Sequence, residues 1–274
     1  MGIDTKMPDR RDIFFQSHRG GINERPENTM RAYLYSWSLK GAIPEVDVRT
    51  SKDERLVCIH DDCLFRTTDA GTDLAFKKIR DLSIKEIKSC DAGIVFDKKY
   101  KGEKIPELKE VLDELKKDKN REVYIDVKNA DIPMLYSLIN EFDAGRQIIF
   151  VHEDITQCKR LSSLYKGARC MTWLQGSETQ ITDRFNILAQ TEFDGLTQIQ
   201  LHLHVLETNK IIQYNLSRDF LVSAVHETKK YDVDLMVRPF VFDTSSISYL
   251  LSLGIKWYAV DNPGLFAKTL SKVK

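Results

Sequence analysis

The chain runs to 274 residues, 42% of them apolar and 30% charged, a length that folds as one large α/β unit or two small domains without disulfide or metal staples. Its 41 basic and 41 acidic side chains cancel, which argues against recognition of nucleic acid or an anionic membrane through bulk charge. No apolar run approaches the ~18 residues of a transmembrane segment, and five cysteines (Cys58, Cys63, Cys90, Cys158 and Cys170) without a CxxC spacing argue against a secreted disulfide scaffold. With a polar start over Met1–Arg11 the expected location is cytoplasmic, or outside the cell had a leader been cut away.

In chain order, Ile13–Ser17 reads as the first strand and delivers His18 at its end. Met30, Tyr33, Leu34 and Trp37 follow helical spacing, and Gly41 falls where a left-handed helix end would sit. Pro44–Val48 is the second strand. Arg49–His60 reads as a hairpin, because Leu56–Ile59 follows too closely for a crossover helix. With Asp53-Glu54 as a two-residue tip, Asp47 would lie opposite His60. Asp61–Lys104 is charged and weakly periodic, and reads as a small insertion beside the main fold. Leu108, Val111, Leu112 and Leu115 form the next apolar helix face, and Val123–Val127 the next strand. Pro133 suits a first helical turn, followed by Leu135, Leu138, Ile139 and Phe142. The remaining strands are predicted at Ile148–Val151, Ala168–Leu174, Phe193–Thr197, Leu235–Phe242 and Trp257–Val260. Eight strands alternating with helices predict a (β/α)8 TIM barrel filling residues 1–274 as one domain, with insertion 61–104 after the hairpin that follows the second strand. An open doubly wound sheet is the alternative, but His18-Arg19-Gly20-Gly21 does not match the GxGxxG turn that would favour it.

Strand alternation sets Val46 and Val48 on one face of the second strand, and Glu45 and Asp47 on the other. Asp126 and Lys128 likewise share a face, with Val127 opposite. In a barrel the valines meet the helices, so the polar groups point into the lumen near the carboxyl ends of their strands. Two carboxylates ~5 Å apart repel by about 3 kcal/mol at an effective dielectric of 20, and three mutual pairs approach ~10 kcal/mol. One lysine does not offset that. A divalent cation held by Glu45, Asp47 and Asp126 would, and all-oxygen ligands favour Mg²⁺ or Ca²⁺ over zinc. The alternative is a protonated carboxylate, or a trio turned to solvent. His18 and His60 converge on the same mouth, where one imidazole could remove a proton and the other return one. Arg19 and Lys128 would supply fixed positive charge for a phosphoryl oxygen.

Ser17-His18-Arg19-Gly20, Pro26-Glu27-Asn28-Thr29, Glu45-x-Asp47-Val48 with Thr50 and Asp53, and His60-Asp61 follow one another in an order that resembles the glycerophosphodiester phosphodiesterase family. Arg66-Thr67-Thr68, Gly71, Ile105-Pro106, Glu110-Val111-Leu112, Asp126-Val127-Lys128 and Asp261-Asn262-Pro263 are similar to its later landmarks. The likeness is densest from 17 to 128. It implies a metal-dependent (β/α)8 barrel that hydrolyses a glycerophosphodiester, a small-molecule substrate, to sn-glycerol 3-phosphate and an alcohol. By motif position, His18 and His60 would be the acid–base pair, and Glu45, Asp47 and Asp126 would hold one Mg²⁺ or Ca²⁺. Arg19 and Lys128 would contact phosphate. Glu27 and Asn28 would shape the loop over the first strand, although a plain helix start capped by Asn28 or Thr29 is equally compatible with them.

Three departures from the family pattern matter. Asp126 stands where Glu is usual, Arg238-Pro239-Phe240 replaces a Trp-Thr pair, and Glu54 replaces a hairpin glycine. Asp126 and the altered Arg238–Phe242 region motivate one rival, a non-catalytic phosphodiester-binding barrel. A second, a phospholipase D- or C-like hydrolase on the same scaffold, would need an apolar surface near the mouth, of which the charged insertion gives little sign. His202 and His204 are expected in a surface loop after the sixth strand, and His226 on a solvated helix face. His152, Glu153 and Trp173 are held as further residues that could line the mouth. Oligomeric state is left open.

Overall fold

The computed structural model describes residues 13–164, 167–207 and 212–273. Alternation builds the barrel wall. Strand β2 (Ala42–Thr50) turns Val46 and Val48 outward, and β4 (Val123–Asn129) does the same with Ile125 and Val127, into the large core beneath the helices. The remaining staves are β1 (Phe14–Ser17), β5 (Ile148–Val151), β6 (Arg169–Leu174), β7 (Gln198–Leu203), β10 (Asp234–Pro239) and β11 (Trp257–Val260). Their parallel order is β1-β11-β10-β7-β6-β5-β4-β2, and β1 also pairs with β2, so eight strands close on themselves. The (β/α)8 expectation holds.

Helices follow the strands: α1 (Met30–Trp37), α4 (Leu108–Leu115), α5 (Ile132–Glu141), α6 (Ile155–Ser162), α7 (Glu178–Gln190), α8 (Arg218–Lys230), α9 (Thr244–Ser252) and α10 (Pro263–Leu270). Each presents an apolar stripe to the wall, as Leu108, Val111, Leu112 and Leu115 of α4 do, all fully buried. Helix α1 ends at Trp37, so Gly41 is not its left-handed end. Gly41 instead makes the tight entry to β2 at φ 80°, where a Cβ would lie 2.5 Å from the Ile13 carbonyl oxygen. The lumen holds Ile43, Tyr124, Ile149, Val151, Met171, Met236 and Ala259. It also holds a glutamine ladder: Tyr124 donates to Gln198 at 2.8 Å, and Gln200 donates to Gln16 at 2.8 Å.

The return strand β3 (Leu56–Cys58) runs antiparallel to β2. Its register pairs Val48 with Cys58 and Thr50 with Leu56, one residue away from the expected alignment, and Ile59 rather than His60 bonds to Asp47. The tip is a three-residue loop, Lys52–Glu54, between Ser51 and Arg55: the Glu54 amide donates to the Ser51 carbonyl and Glu54 follows in the left-handed conformation at φ 57°, which shifts the register by one. Segment 61–104 contributes the short helices α2 (Thr72–Ala75) and α3 (Ile84–Ser89). Leu64, Ile79, Leu82, Ile87 and Ile105 pack there around Val57 and Ile59 of the hairpin, in an apolar cluster of their own. The Asp53 carboxylate accepts from the Ile84 amide at 2.9 Å and fastens the tip to this segment.

The stretch Phe193–Thr197 is a turn, not a strand. Glu192 and Phe193 both have positive φ, Phe193 drops into the helix layer against Phe185, and the strand begins at Gln198. Strand β10 likewise stops at Pro239, short of Phe242. Beyond β7, the strands β8 (Val205–Glu207) and β9 (Gln213–Tyr214) form a two-stranded ribbon. The described cysteines are all free thiols. Among the described residues no helix is long and apolar enough to cross a membrane.

Candidate active site

Glu45, Asp47 and Asp126 are each nine-tenths or more buried, and each offers a carboxylate oxygen within 4.8 Å of the other two. Asp47 and Asp126 are register partners across β2 and β4. Lys128 reaches both, at 3.4 Å from Asp47 Oδ1 and 2.6 Å from Asp126 Oδ2. A register shift opposite Val48–Arg49 leaves Lys128 as the extra residue of a bulge, a device that re-aims a side chain at a site rim. The shorter Asp126 still joins the cluster.

The turn after β1 supplies the opposing charge. Arg19 sits at φ 52°, which directs its amide to Glu45 Oε2 at 2.6 Å. Gly20 follows at φ 80°, packed so tightly that a Cβ would meet the Ala32 Cβ at 2.6 Å. The Arg19 guanidinium donates to Glu27 at 3.0 Å, and its Nε lies 3.5 Å from Asp47. Asn28 donates from Nδ2 to Asp47 at 2.8 Å, while its Oδ1 accepts from the Asp47 amide and from the Tyr33 hydroxyl. Capping of α1 falls to Thr29, which accepts from the Ala32 amide. Glu27 and Asn28 therefore act inside the site as clamps.

Burial, followed by the charges on Asp47 and Asp126, pushes the Glu45 carboxyl well above its usual range. Burial and Asp47 do the same to Asp126. Burial also works against ionised Asp47, but Lys128, Arg19 and His60 prevail and hold it low. Lys128 is kept charged against its own burial by the three acids. Three acids, one ammonium and a buried Asp47 Oδ1 without a full hydrogen bond make a pocket short of positive charge, and its donors are all oxygen. A hard divalent cation fits that donor set.

Each imidazole is backed by a carboxylate that is itself held by an arginine. His18 Nδ1 lies 2.7 Å from Asp261 Oδ1, which accepts from Arg238 at 2.7 Å. His60 Nδ1 lies 2.8 Å from Asp61 Oδ1. Arg66 donates to both Asp61 oxygens, at 2.7 and 2.9 Å, and to both Glu27 oxygens. Arg49 secures the His60 carbonyl at 2.7 Å. Burial, then Arg238, lowers the proton affinity of His18 to about 4.

The structure thus gathers Glu45, Asp47, Asp126, Lys128, Arg19, Glu27 and Asn28 into one hydrogen-bonded network, and sets His18 and His60 at strand ends on its margins. Trp173 lies under the Lys128 ammonium at 5.6 Å, so it lines the mouth. His152 accepts from the Asp154 amide in the loop after β5, and Glu153 is exposed. His226 is exposed on α8, as expected. His202 is not in a surface loop. It lies within β7, buried, with Nε2 at 3.0 Å from Gln200, and burial and Arg238 lower its proton affinity to about 3. His204 is exposed and stacks on Phe240. Sequence reasoning gave no site role to Asp61, Arg66, His202, Arg238 or Asp261. The last stood in a quoted landmark, but nothing local joins it to His18 across 243 positions.

Fold and site together define a (β/α)8 barrel whose mouth is an acidic pocket flanked by two buttressed imidazoles. The chain belongs to the glycerophosphoryl diester phosphodiesterase family, whose model matches residues 18–265. It is 35% identical over 155 residues to a glycerophosphodiester phosphodiesterase of Caldanaerobacter subterraneus subsp. tengcongensis, a match covering 53% of this chain and 61% of that relative's length. A glycerophosphodiester phosphodiesterase of Bacillus altitudinis is 25% identical over 263 residues, 94% of this chain and 98% of the other. The structure of an Oleispira antarctica phosphodiesterase in complex with the product sn-glycerol-3-phosphate superposes with a TM-score of 0.68 at 19% identity, covering 94% of this chain and 97% of that one.

Proposed function

We propose that this protein hydrolyses glycerophosphodiesters to sn-glycerol 3-phosphate and an alcohol, with one divalent cation, Mg²⁺ or Ca²⁺, held by Glu45, Asp47 and Asp126. The observation that carries the reading is the buried carboxylate trio bordered by His18 and His60, each on a carboxylate. The product named for the Oleispira structure supports the substrate class. When bound, the cation supplies Lewis acidity at a phosphoryl oxygen. Lys128 and Arg19, already aimed at the acids, give a phosphate their remaining N–H donors. The two imidazoles divide proton removal and return. The hairpin and segment 61–104 bring His60, Asp61 and Arg66 to the same mouth, so residues 1–274 act as one catalytic unit.

The test is turnover of glycerophosphocholine with release of glycerol 3-phosphate, in Mg²⁺ or Ca²⁺. Each of H18A and H60A should lose activity by at least ~100-fold. Turnover that survives either change removes that residue from the mechanism. Tight diester binding with no glycerol 3-phosphate released in any metal would replace the hydrolase with a binding barrel.

A further inference from the structure

Arg238, near the end of β10, turns its guanidinium inward, and its side chain is 13% exposed. Nη2 lies 2.7 Å from Asp261 Oδ1 and 2.8 Å from His18 Nδ1, while Asp261 Oδ1 lies 2.7 Å from the same Nδ1. All three edges of this triangle have hydrogen-bond length, and either neutral tautomer leaves one edge without a hydrogen bond, so the choice falls to the shorter, charged edge to Asp261. Were Nδ1 bare, it would accept from Arg238 at 2.8 Å, but its lone pair would also face the carboxylate oxygen at 2.7 Å with no proton between them. With the proton on Nδ1, imidazole and guanidinium both donate to one oxygen, and the third edge is a contact between two donors. Nε2 then carries the lone pair.

Charge decides the rest. A carboxylate alone behind an imidazole favours the doubly protonated ring. Here that carboxylate is matched by a guanidinium in direct contact with both groups. The charged and titratable groups facing His18 are Arg238 at the end of β10, Asp261 past β11, Arg19 next in the chain, and His202 at the end of β7. Positive charge outweighs negative. The His60 side differs, because Arg66 divides its charge between Asp61 and Glu27.

We propose that Arg238 is a positioning residue: it lets Asp261 hold the Nδ1 proton of His18 while cancelling the carboxylate's pull for a second proton, so that Nε2 stays free as the base. The low proton affinity of His18 agrees with this arrangement. The word base rests on the phosphodiesterase reading above, whereas the triangle does not.

The test is an NMR titration of the His18 imidazole nitrogens in Mg²⁺-loaded protein, set beside the acid limb of kcat/KM. Wild type should show the Nδ1–H tautomer. Arg238→Met should raise the His18 midpoint by about one pH unit or more and carry the acid limb with it, while Arg238→Lys, which keeps the charge, should restore both towards wild type. Asp261→Asn should weaken the tautomer preference without raising the midpoint. An unmoved midpoint in Arg238→Met, or a wild-type ring protonated on Nε2, would overturn the proposal. The second of these outcomes needs no variant to fold. A midpoint that moves in a protein without turnover would keep the triangle and sink the phosphodiesterase reading instead.

Discussion

Asp126 shares Lys128 with Asp47, and the pair face each other in register from β2 and β4. Removing its charge takes away one of the two carboxylates that Lys128 pairs with and leaves the pocket one ligand short. Asp126→Asn should therefore lower kcat/KM by ~100-fold or more, at or beyond the upper end of outer-shell changes, with a weaker Mg²⁺ titration. Wild-type kinetics in that variant would remove Asp126 from the cation site. His18 makes a separate prediction about acid. The unfolded chain takes up its proton near 6.5, but the folded chain does so only near 4. Protons therefore favour unfolding between those values, and stability present above about pH 6.5 is lost as the pH falls towards 4. Asp261, held at about 2 in spite of its burial by its bonds to His18 and Arg238, adds a loss of the same sign at lower pH. His18→Gln should flatten the fall in thermal stability from pH 7 to 4 by up to ~3 kcal/mol. Parallel melting curves for the two proteins would contradict the burial argument.

At the scale of elements, strand alternation made β2 and β4 legible, because outward valines and inward acids obey a period of two whatever the strands pack against. Strand β7 was not legible. Its lumen side is Gln198, Gln200 and His202, where Tyr124 and Gln16 from other strands meet the glutamines and His202 bonds to Gln200 beside it, while Phe193–Thr197, with Phe193 and Leu196 as its apolar residues, imitated a strand and folded as a turn. The hairpin register slipped for a local reason, the left-handed Glu54. That residue supplies its own test. Glu54→Gly should stabilise the protein by about 0.5–1 kcal/mol, because glycine meets no Cβ penalty at positive φ. Urea unfolding at unchanged slope would measure it, and a loss of stability would show that Glu54 makes contacts outweighing the strain. The buttresses of the two histidines were the least legible part of the site. Asp61 adjoins His60, but Arg66, itself tied to Glu27, reaches it from further along the chain, and Asp261 comes from the far end of the sequence.

For the whole molecule, a cation held as proposed would couple folding to its own binding. Three acids repelling one another in the buried mouth lower stability until a dication offsets them. Mg²⁺ or Ca²⁺ at 100 times its Kd should add about 2.7 kcal/mol, read as a rise in Tm that EDTA reverses together with activity. Glu45→Gln should blunt that rise, and a metal-independent Tm would locate the cation elsewhere or nowhere. The seam between β1 and β11 carries a different consequence. Because the first stave is flanked by the last, the His18 imidazole waits for a carboxylate made 243 positions later in the chain. A nascent chain halted short of that stave holds nearly every functional side chain, yet it displays an unsupported ring in an open trough. The ring is seated only when the closing stave arrives, in a single late step.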